Sequence, residues 1–282
     1  MSRPYVLPPD RAEVQSRIRT YAARGGEWFF ADVENDPPAK VLRPEDVDYL
    51  HETVKFRVNG WFARLTESVC QAFCRRKYAI TVESAENLRG LTGGAVWTSN
   101  HFAVTENLAV RLAAQRAPGR HRMYKLVREG NYAMPGVIGW LLRYADTLPL
   151  SSCVTTMKGL DRAISRILRS GDFVLVYPEQ AMWWYYPKPR PYRIGAFRYA
   201  AKNGVPVVPC FVTLSAKNAG KPISPANMRY TIHVCPPIRP DGTHSVREEA
   251  ERMREENFRL CREVYERVYG KTLDYSDGEL LF

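Results

Sequence analysis

No two cysteines in this chain form a close CxxC pair. Cys70, Cys74, Cys153, Cys210, Cys235 and Cys261 are scattered, which argues against a zinc ribbon and against the disulfide framework of a small secreted domain. A reducing compartment is expected. No stretch approaches the roughly 18 consecutive apolar residues of a membrane-spanning helix, and the longest apolar runs, 133–142 and 204–212, are broken by Pro and Gly. The opening MSRPYVLPPDRAE carries no apolar run of signal-peptide length, so a soluble or peripheral cytoplasmic protein is expected. Internal repeats, low-complexity tracts and long Gly/Ser linkers are also missing. The GxSxG elbow of a serine hydrolase occurs nowhere, which weighs strongly against that class.

What is present is enough apolar sequence, 45% of 282 residues, to bury a large core. The formal charge of +11 attracts anionic partners: a phospholipid surface, a phosphorylated small molecule or nucleic acid. No nucleic-acid-binding motif accompanies the charge, and an anionic membrane accounts for it equally well. No nucleic-acid partner is therefore expected.

Taken in order, the first 50 residues are punctuated by Pro4, Pro8, Pro9, Pro37, Pro38 and Pro44, with a helix expected from Asp10 to Ala23. Between Thr53 and Arg76, Val58, Trp61, Phe62, Leu65, Val69 and Phe73 recur at helical spacing among basic residues. This helix either packs its apolar face on the core or lays it on an anionic membrane. Strands are expected at 78–82, 94–99, 122–127, 146–150, 173–177, 205–214 and 230–235. Helices are expected at 106–115, 155–169, 195–202 and 245–269, and a short apolar helix or turn at 135–144. Helices alternating with short buried strands give an α/β fold, expected as a mixed, mostly parallel sheet flanked by helices, with an N-terminal helical extension. The expected organisation is an extension over 1–77, a catalytic domain over 78–240 and a C-terminal helix within 241–282 packed on it. The cations Arg111, Arg116, Arg120, Arg122, Lys125 and Arg128, with His121, read as a solvated rim or an anion pocket.

The most informative stretch is WTSNHFAVTE, residues 97–106, where a strand passes into a helix. Thr105 is a plausible N-cap, which leaves His101 in the connecting loop. A loop histidine folding back over a helix N-terminus can reach a carboxylate in the first turn, here Glu106. The carboxylate then fixes the tautomer at one ring nitrogen and leaves the other free to take a proton. The alternative is an ordinary capped helix with a histidine nearby. A second unusual stretch, PEQAMWWYYPKPRPYRIG, follows the strand ending at Tyr177. Its aromatics Trp183, Trp184, Tyr185 and Tyr186 read as covering the core or dipping into a membrane interface.

SNHFAVTE, MPGVIGWLLRYADTLPL, LVYPEQ and GVPVVPCFV, in this order, resemble the glycerophosphate and lysophospholipid acyltransferase family over about residues 78–235. The first family motif is a His and an Asp with four residues between them. It reads here as Asn100, His101 and Glu106, with Glu in the place of the commoner Asp. The third motif, an aromatic, Pro, Glu, Gly, Thr, Arg, keeps Tyr177, Pro178 and Glu179 but has Gln180, Ala181 and Met182 afterwards. An arginine usual after the second motif's strand is also missing, where Ser151 and Ser152 follow Leu150.

The resemblance implies transfer of an acyl chain from acyl-CoA or acyl carrier protein to a lipid hydroxyl at a membrane surface, without a cofactor. His101 is implied as general base and Glu106 as its orienter. Asn100, Arg128, Glu179, Gln180 and Arg193 are implied at the acceptor, with Arg128 a headgroup ligand. Lys125, Lys188 and Arg190 are further cations that could replace the missing arginines. A lipid acceptor without a phosphate monoester, or a relative that binds lipid without turnover, are the alternatives.

Overall fold

The structure is a computed structural model and describes residues 12–34, 41–278 and 280–281. The helix expected from Asp10 is observed as α1 (Ala12–Arg24); Pro4, Pro8, Pro9, Asp10, Pro37 and Pro38 lie outside the described residues. After α2 (Val54–Lys77) come β1 (Thr81–Glu83), β2 (Ala95–Thr98), α3 (Glu106–Ala114), β3 (Met123–Val127), α4 (Gly136–Tyr144) and β4 (Thr147–Pro149). The chain continues through α5 (Val154–Arg169), β5 (Phe173–Val176), α6 (Gly195–Asn203), β6 (Val207–Ala216), β7 (Met228–Val234) and α7 (Val246–Tyr269). Each strand and helix read from the sequence is present, with ends shifted by a few residues.

The strands form one seven-stranded sheet in the order β1-β7-β6-β2-β5-β3-β4. All neighbours are parallel except β6 and β7, which run antiparallel. Alternation along each strand divides the core in two. Ala95, Trp97, Phe173, Leu175, Val208 and Cys210 face one side with α1 and α3, while Val96, Val174, Val176, Val207 and Phe211 face the other with α5, α6 and α7. The central strands β2 and β5 are buried on both faces, as the apolar runs AVWT and FVLV require.

The N-terminal residues take part in this core. Val14, Ile18, Ala22, Phe29 and Val33 lie in the same apolar cluster as Trp97 and Leu175.

The amphipathic helix α2 has its apolar stripe outward. Val54, Val58, Trp61, Phe62, Leu65, Val69 and Phe73 are exposed, Trp61 at 57%, whereas the buried positions are Gly60, Ala63, Glu67, Gln71 and Cys74. Two needs dictate this inversion. Small residues let α2 approach closely: a Cβ on Gly60 would come within 2.8 Å of the His51 ring. Glu67 and Gln71 also answer cations below the helix. Glu67 pairs with Lys125, which is buried in β3, and with Arg111 of α3 at 3.6 Å, while Gln71 accepts from Arg111. Likewise Arg122 pairs with Asp146. Much of the basic cluster is thus neutralised by the chain itself instead of forming an open anion pocket.

Gly94 leads into β2 beneath the last turn of α5, where a Cβ would overlap the backbone carbonyl of Leu168. Neither partner is a flexible side-chain end, so β2 or α5 must move. Gly94→Ala is expected to cost about 1–3 kcal/mol in urea unfolding, the range for overpacking; an unchanged midpoint would show that the helix end yields freely.

Candidate active site

Because β2 and β5 are parallel neighbours, with Thr98 opposite Val176, the loops that follow them leave the same edge of the sheet side by side. That shared carboxyl edge is where open α/β sheets place their sites. His101 comes from the first loop and Tyr177 and Glu179 from the second.

Glu106 is the first residue of α3 and only 1% exposed. The helix N-terminus favours its negative charge there. His101 Nδ1 lies 2.5 Å from Glu106 Oε1, the pairing expected from the sequence. A carboxylate accepting from Nδ1–H leaves Nε2 as the basic nitrogen, and the imidazole is 22% exposed. Thr105 occupies the N-cap position without making a capping bond. Its φ and ψ of −105° and −7° replace the extended conformation of N-cap residues, so its hydroxyl is not aimed at the next turn.

The ring of Tyr177 stacks on His101, centroids 4.1 Å apart and planes 12° from parallel. Its hydroxyl is buried, as is Glu106 Oε2. Burial, and then the charge of Glu106, hold the phenol well above its ordinary pKa, so it stays protonated. Tyr177 therefore supports one face of the imidazole without adding charge. Its position just before Pro178-Glu179 at a strand end was the available signal for a site residue, but the stacking could not be read from it.

The backbone of His101 is held from both sides. Its N–H donates to Glu179 Oε2 at 3.2 Å, and its carbonyl accepts from Trp183 N–H at 3.0 Å. One residue on, the Phe102 carbonyl accepts from Tyr185 N–H at 2.9 Å. Trp183, Trp184, Tyr185 and Tyr186 are all buried, so the aromatic stretch covers the core and clamps the histidine loop.

Glu179 is 2% exposed and engaged by Arg190, which is fully buried. Arg190 donates from its backbone N–H to Oε1 at 3.0 Å and from Nε and Nη2 to Oε2 at 3.2 and 3.0 Å. The same guanidinium donates to the carbonyls of Phe29, at 2.7 Å, and Ala181, and lies over the Trp183 ring. Desolvation lowers its pKa and Glu179 opposes that shift.

The other residues assigned to the acceptor are distributed differently. Asn100 is buried, donating to the Val212 carbonyl at 3.0 Å and accepting from Val212 N–H at 2.8 Å, which ties the end of β2 to β6. Gln180 is exposed, in the left-handed region at φ 63°, and accepts from Arg193 Nε at 3.3 Å. Arg193 also pairs with Glu27 and lies over Phe30, 3.7 Å from the ring centroid. Arg128 pairs with Asp32 at 2.6 Å.

Residues 26–34 were not singled out by the sequence, yet they supply partners to much of this region. Glu27 meets Arg193, the Phe29 carbonyl meets Arg190, Asp32 meets Arg128, and the Ala31 carbonyl and Glu34 accept from the Trp183 and Trp184 indoles. The only sequence-level hint was the run GEWFFADVE, aromatic and acidic in an otherwise basic chain.

Truncation of Glu179 strands a buried guanidinium and frees the His101 amide. Glu179→Ala is expected to lose about 3–5 kcal/mol of stability, the cost of breaking a buried ion pair. Chemical denaturation measures this, and a loss below 1 kcal/mol would mean that the carbonyls alone hold Arg190.

Comparison with known proteins bears on the same segment. The family model described as Acyltransferase matches residues 79–213. No curated protein sequence matches the chain. Among solved structures, the crystal structure of the 1-acyl-sn-glycerophosphate (LPA) acyltransferase PlsC from Thermotoga maritima is similar in fold. Its TM-score is 0.50 at 19% identity, over 75% of this chain and 83% of that one. The matched residues contain β2, the His101 loop, Glu106, Tyr177 and Glu179, so the candidate site lies within the segment that the Acyltransferase family model matches.

Proposed function

We propose that this acyltransferase moves a fatty acyl group from a thioester, acyl-CoA or acyl carrier protein, to a hydroxyl of a lysophospholipid-type acceptor. His101 acts as general base and Glu106 as its orienter. The observation that carries the reading is the His101–Glu106 pair, 2.5 Å apart at the carboxyl edge of the sheet, with the carboxylate buried and the imidazole partly open.

The acceptor oxygen attacks the thioester carbonyl carbon while its proton passes to Nε2 of His101. The imidazolium this creates is stabilised by Glu106. As the tetrahedral intermediate collapses, the C–S bond breaks and the proton on Nε2 passes to the departing sulfur, which leaves as the thiol. Each step uses groups of the chain and its two substrates. Tyr177 and the Glu179 and Trp183 backbone contacts hold the imidazole in place.

A second reading concerns the acceptor. Every cation weighed as a replacement for the missing arginines has a carboxylate of the chain as partner. Lys125 pairs with Glu67, Arg128 with Asp32, Lys188 with Asp277, Arg190 with Glu179, and Arg193 with Glu27. Met182 stands where the family's motif arginine would be. This pairing favours an acceptor without a phosphate monoester. Lys125, Lys188 and Arg190 are buried within their pairs, and a phosphate would compete with Asp32 or Glu27 for the two exposed cations, Arg128 and Arg193.

The experiment is thiol release from long-chain acyl-CoA and acyl carrier protein thioesters, with lysophosphatidate, larger-headgroup lysophospholipids and phosphate-free lipid alcohols as acceptors. Release is expected to require an acceptor and to fall about 100- to 10,000-fold in His101→Ala, the range for a positioned base. Preference for lysophosphatidate would sink the second reading. Release without an acceptor would replace transfer by thioester hydrolysis, and no release from either donor would leave a lipid-binding relative.

We also assign α2 as the face that meets the membrane. Among the described residues no helix is long and apolar enough to cross one, and the contact we propose is peripheral. The exposed residues Val54, Val58, Trp61, Phe62, Leu65, Val69 and Phe73 occupy about a third of the helix circumference at 100° per residue. Lys55, Arg57, Arg75, Arg76 and Lys77 are exposed near its two ends. Apolar side chains aligned with cations suit an anionic bilayer surface. Trp61→Ser with Phe62→Ser is expected to lower sedimentation with anionic vesicles at least tenfold at unchanged fold by circular dichroism. Unaltered binding would move the contact elsewhere.

A further inference from the structure

The segment joining β7 to α7 holds a group of side chains that the acyl-transfer chemistry does not use. Asp241, His244 and Glu249 bring one ligand atom each to within 4.8 Å of one another. In each carboxylate one oxygen is fixed by the chain and the other is left facing the group.

Asp241 Oδ1 accepts from the Thr243 backbone N–H at 2.8 Å and from the Thr243 hydroxyl at 2.9 Å and lies 3.1 Å from His244 Nδ1, while Oδ2, with no Thr243 contact, lies 2.9 Å from the same nitrogen. Glu249 Oε1 accepts from Arg252. Its Oε2 is buried without a hydrogen-bond partner, 3.7 Å from the same His244 Nδ1, in a side chain only 5% exposed. A carboxylate oxygen removed from water and left unbonded is costly, and such an atom calls for a partner.

We propose that Asp241 Oδ2, His244 Nδ1 and Glu249 Oε2 form a binding site for a divalent transition-metal ion. Separations of 2.9 and 3.7 Å between the donor pairs bracket the spacing of neighbouring ligands on one ion with bonds of about 2.0–2.2 Å. The donor set selects the ion. One imidazole with two carboxylates suits zinc or manganese, whereas calcium and magnesium prefer oxygen alone. Two carboxylate charges match a divalent cation and must also offset Arg252 and the partial positive charge at the start of α7. His244 is 44% exposed, so water completes the coordination. Thr243 and Arg252 are the outer partners that orient the two carboxylates. With only the exposed end of α7 and the loop before it involved, the ion is structural, stapling residues 241–244 to the helix.

The competing arrangement has a protonated His244 between the two carboxylates and no ion. Direct binding separates them. Wild-type protein is titrated with Mn2+, which thiolates bind poorly, and followed by loss of the free-ion electron paramagnetic resonance signal. A parallel calorimetric titration uses Zn2+. One saturable equivalent is expected, weakened at least tenfold in His244→Ala and in Asp241→Asn. Zn2+ is also expected to raise the melting temperature of the wild type and not of His244→Ala. Both substituted residues are exposed, so the variants keep the fold. No saturable binding of either ion, or equal binding in His244→Ala, would overturn the site and leave the protonated histidine as partner of both carboxylates.

Discussion

The buried pair between Glu179 and Arg190 is the interaction on which the arrangement around His101 rests. One carboxylate and one guanidinium, exposed by 2% and 0%, join the His101 amide, the Phe29 and Ala181 carbonyls and the Trp183 ring. Such a pair contributes little net stability against an apolar replacement, but removal of one partner leaves an unpaid charge in the core. Its value here is geometric. Three segments distant in sequence, the His101 loop, the aromatic loop and residues 26–34, are held in register because each donates or accepts at this one pair.

Charge is managed similarly throughout the protein. A net charge of +11 suggests abundant free cations, yet around the site the positive side chains meet carboxylates from α2, from residues 26–34 and from the C-terminal segment. These four pairs, with Arg190–Glu179 as a fifth, leave the site less positive than the composition implies. That is the physical ground for favouring an acceptor other than a phosphate monoester.

The outward stripe of α2 and the inward carboxylates of the same helix belong to one solution. Glu67 must face Lys125 and Arg111, and a helix that turns Glu67 inward necessarily turns Trp61, Leu65 and Phe73 outward. An apolar surface beside the sheet therefore follows from the need to neutralise cations beneath the helix.

The α/β alternation, the positions of the strands and the His101–Glu106 pairing were legible because they depend on local patterns: apolar runs, helical spacing, and a loop short enough to fold back on the helix it starts. The roles of Asn100 and Glu179 were not. Asn100 faces Val212 and Glu179 faces Arg190 because parallel strands and a folded-back loop bring them together, and nothing at the level of spacing reports a contact between residues 112 positions apart. Periodicity likewise showed that α2 is amphipathic without showing which face is inward, since that depends on the neighbouring cations. Sequence specified the elements and the His101–Glu106 pairing; long-range packing alone assigned the remaining polar groups, because burial forces each to find a partner wherever the fold provides one.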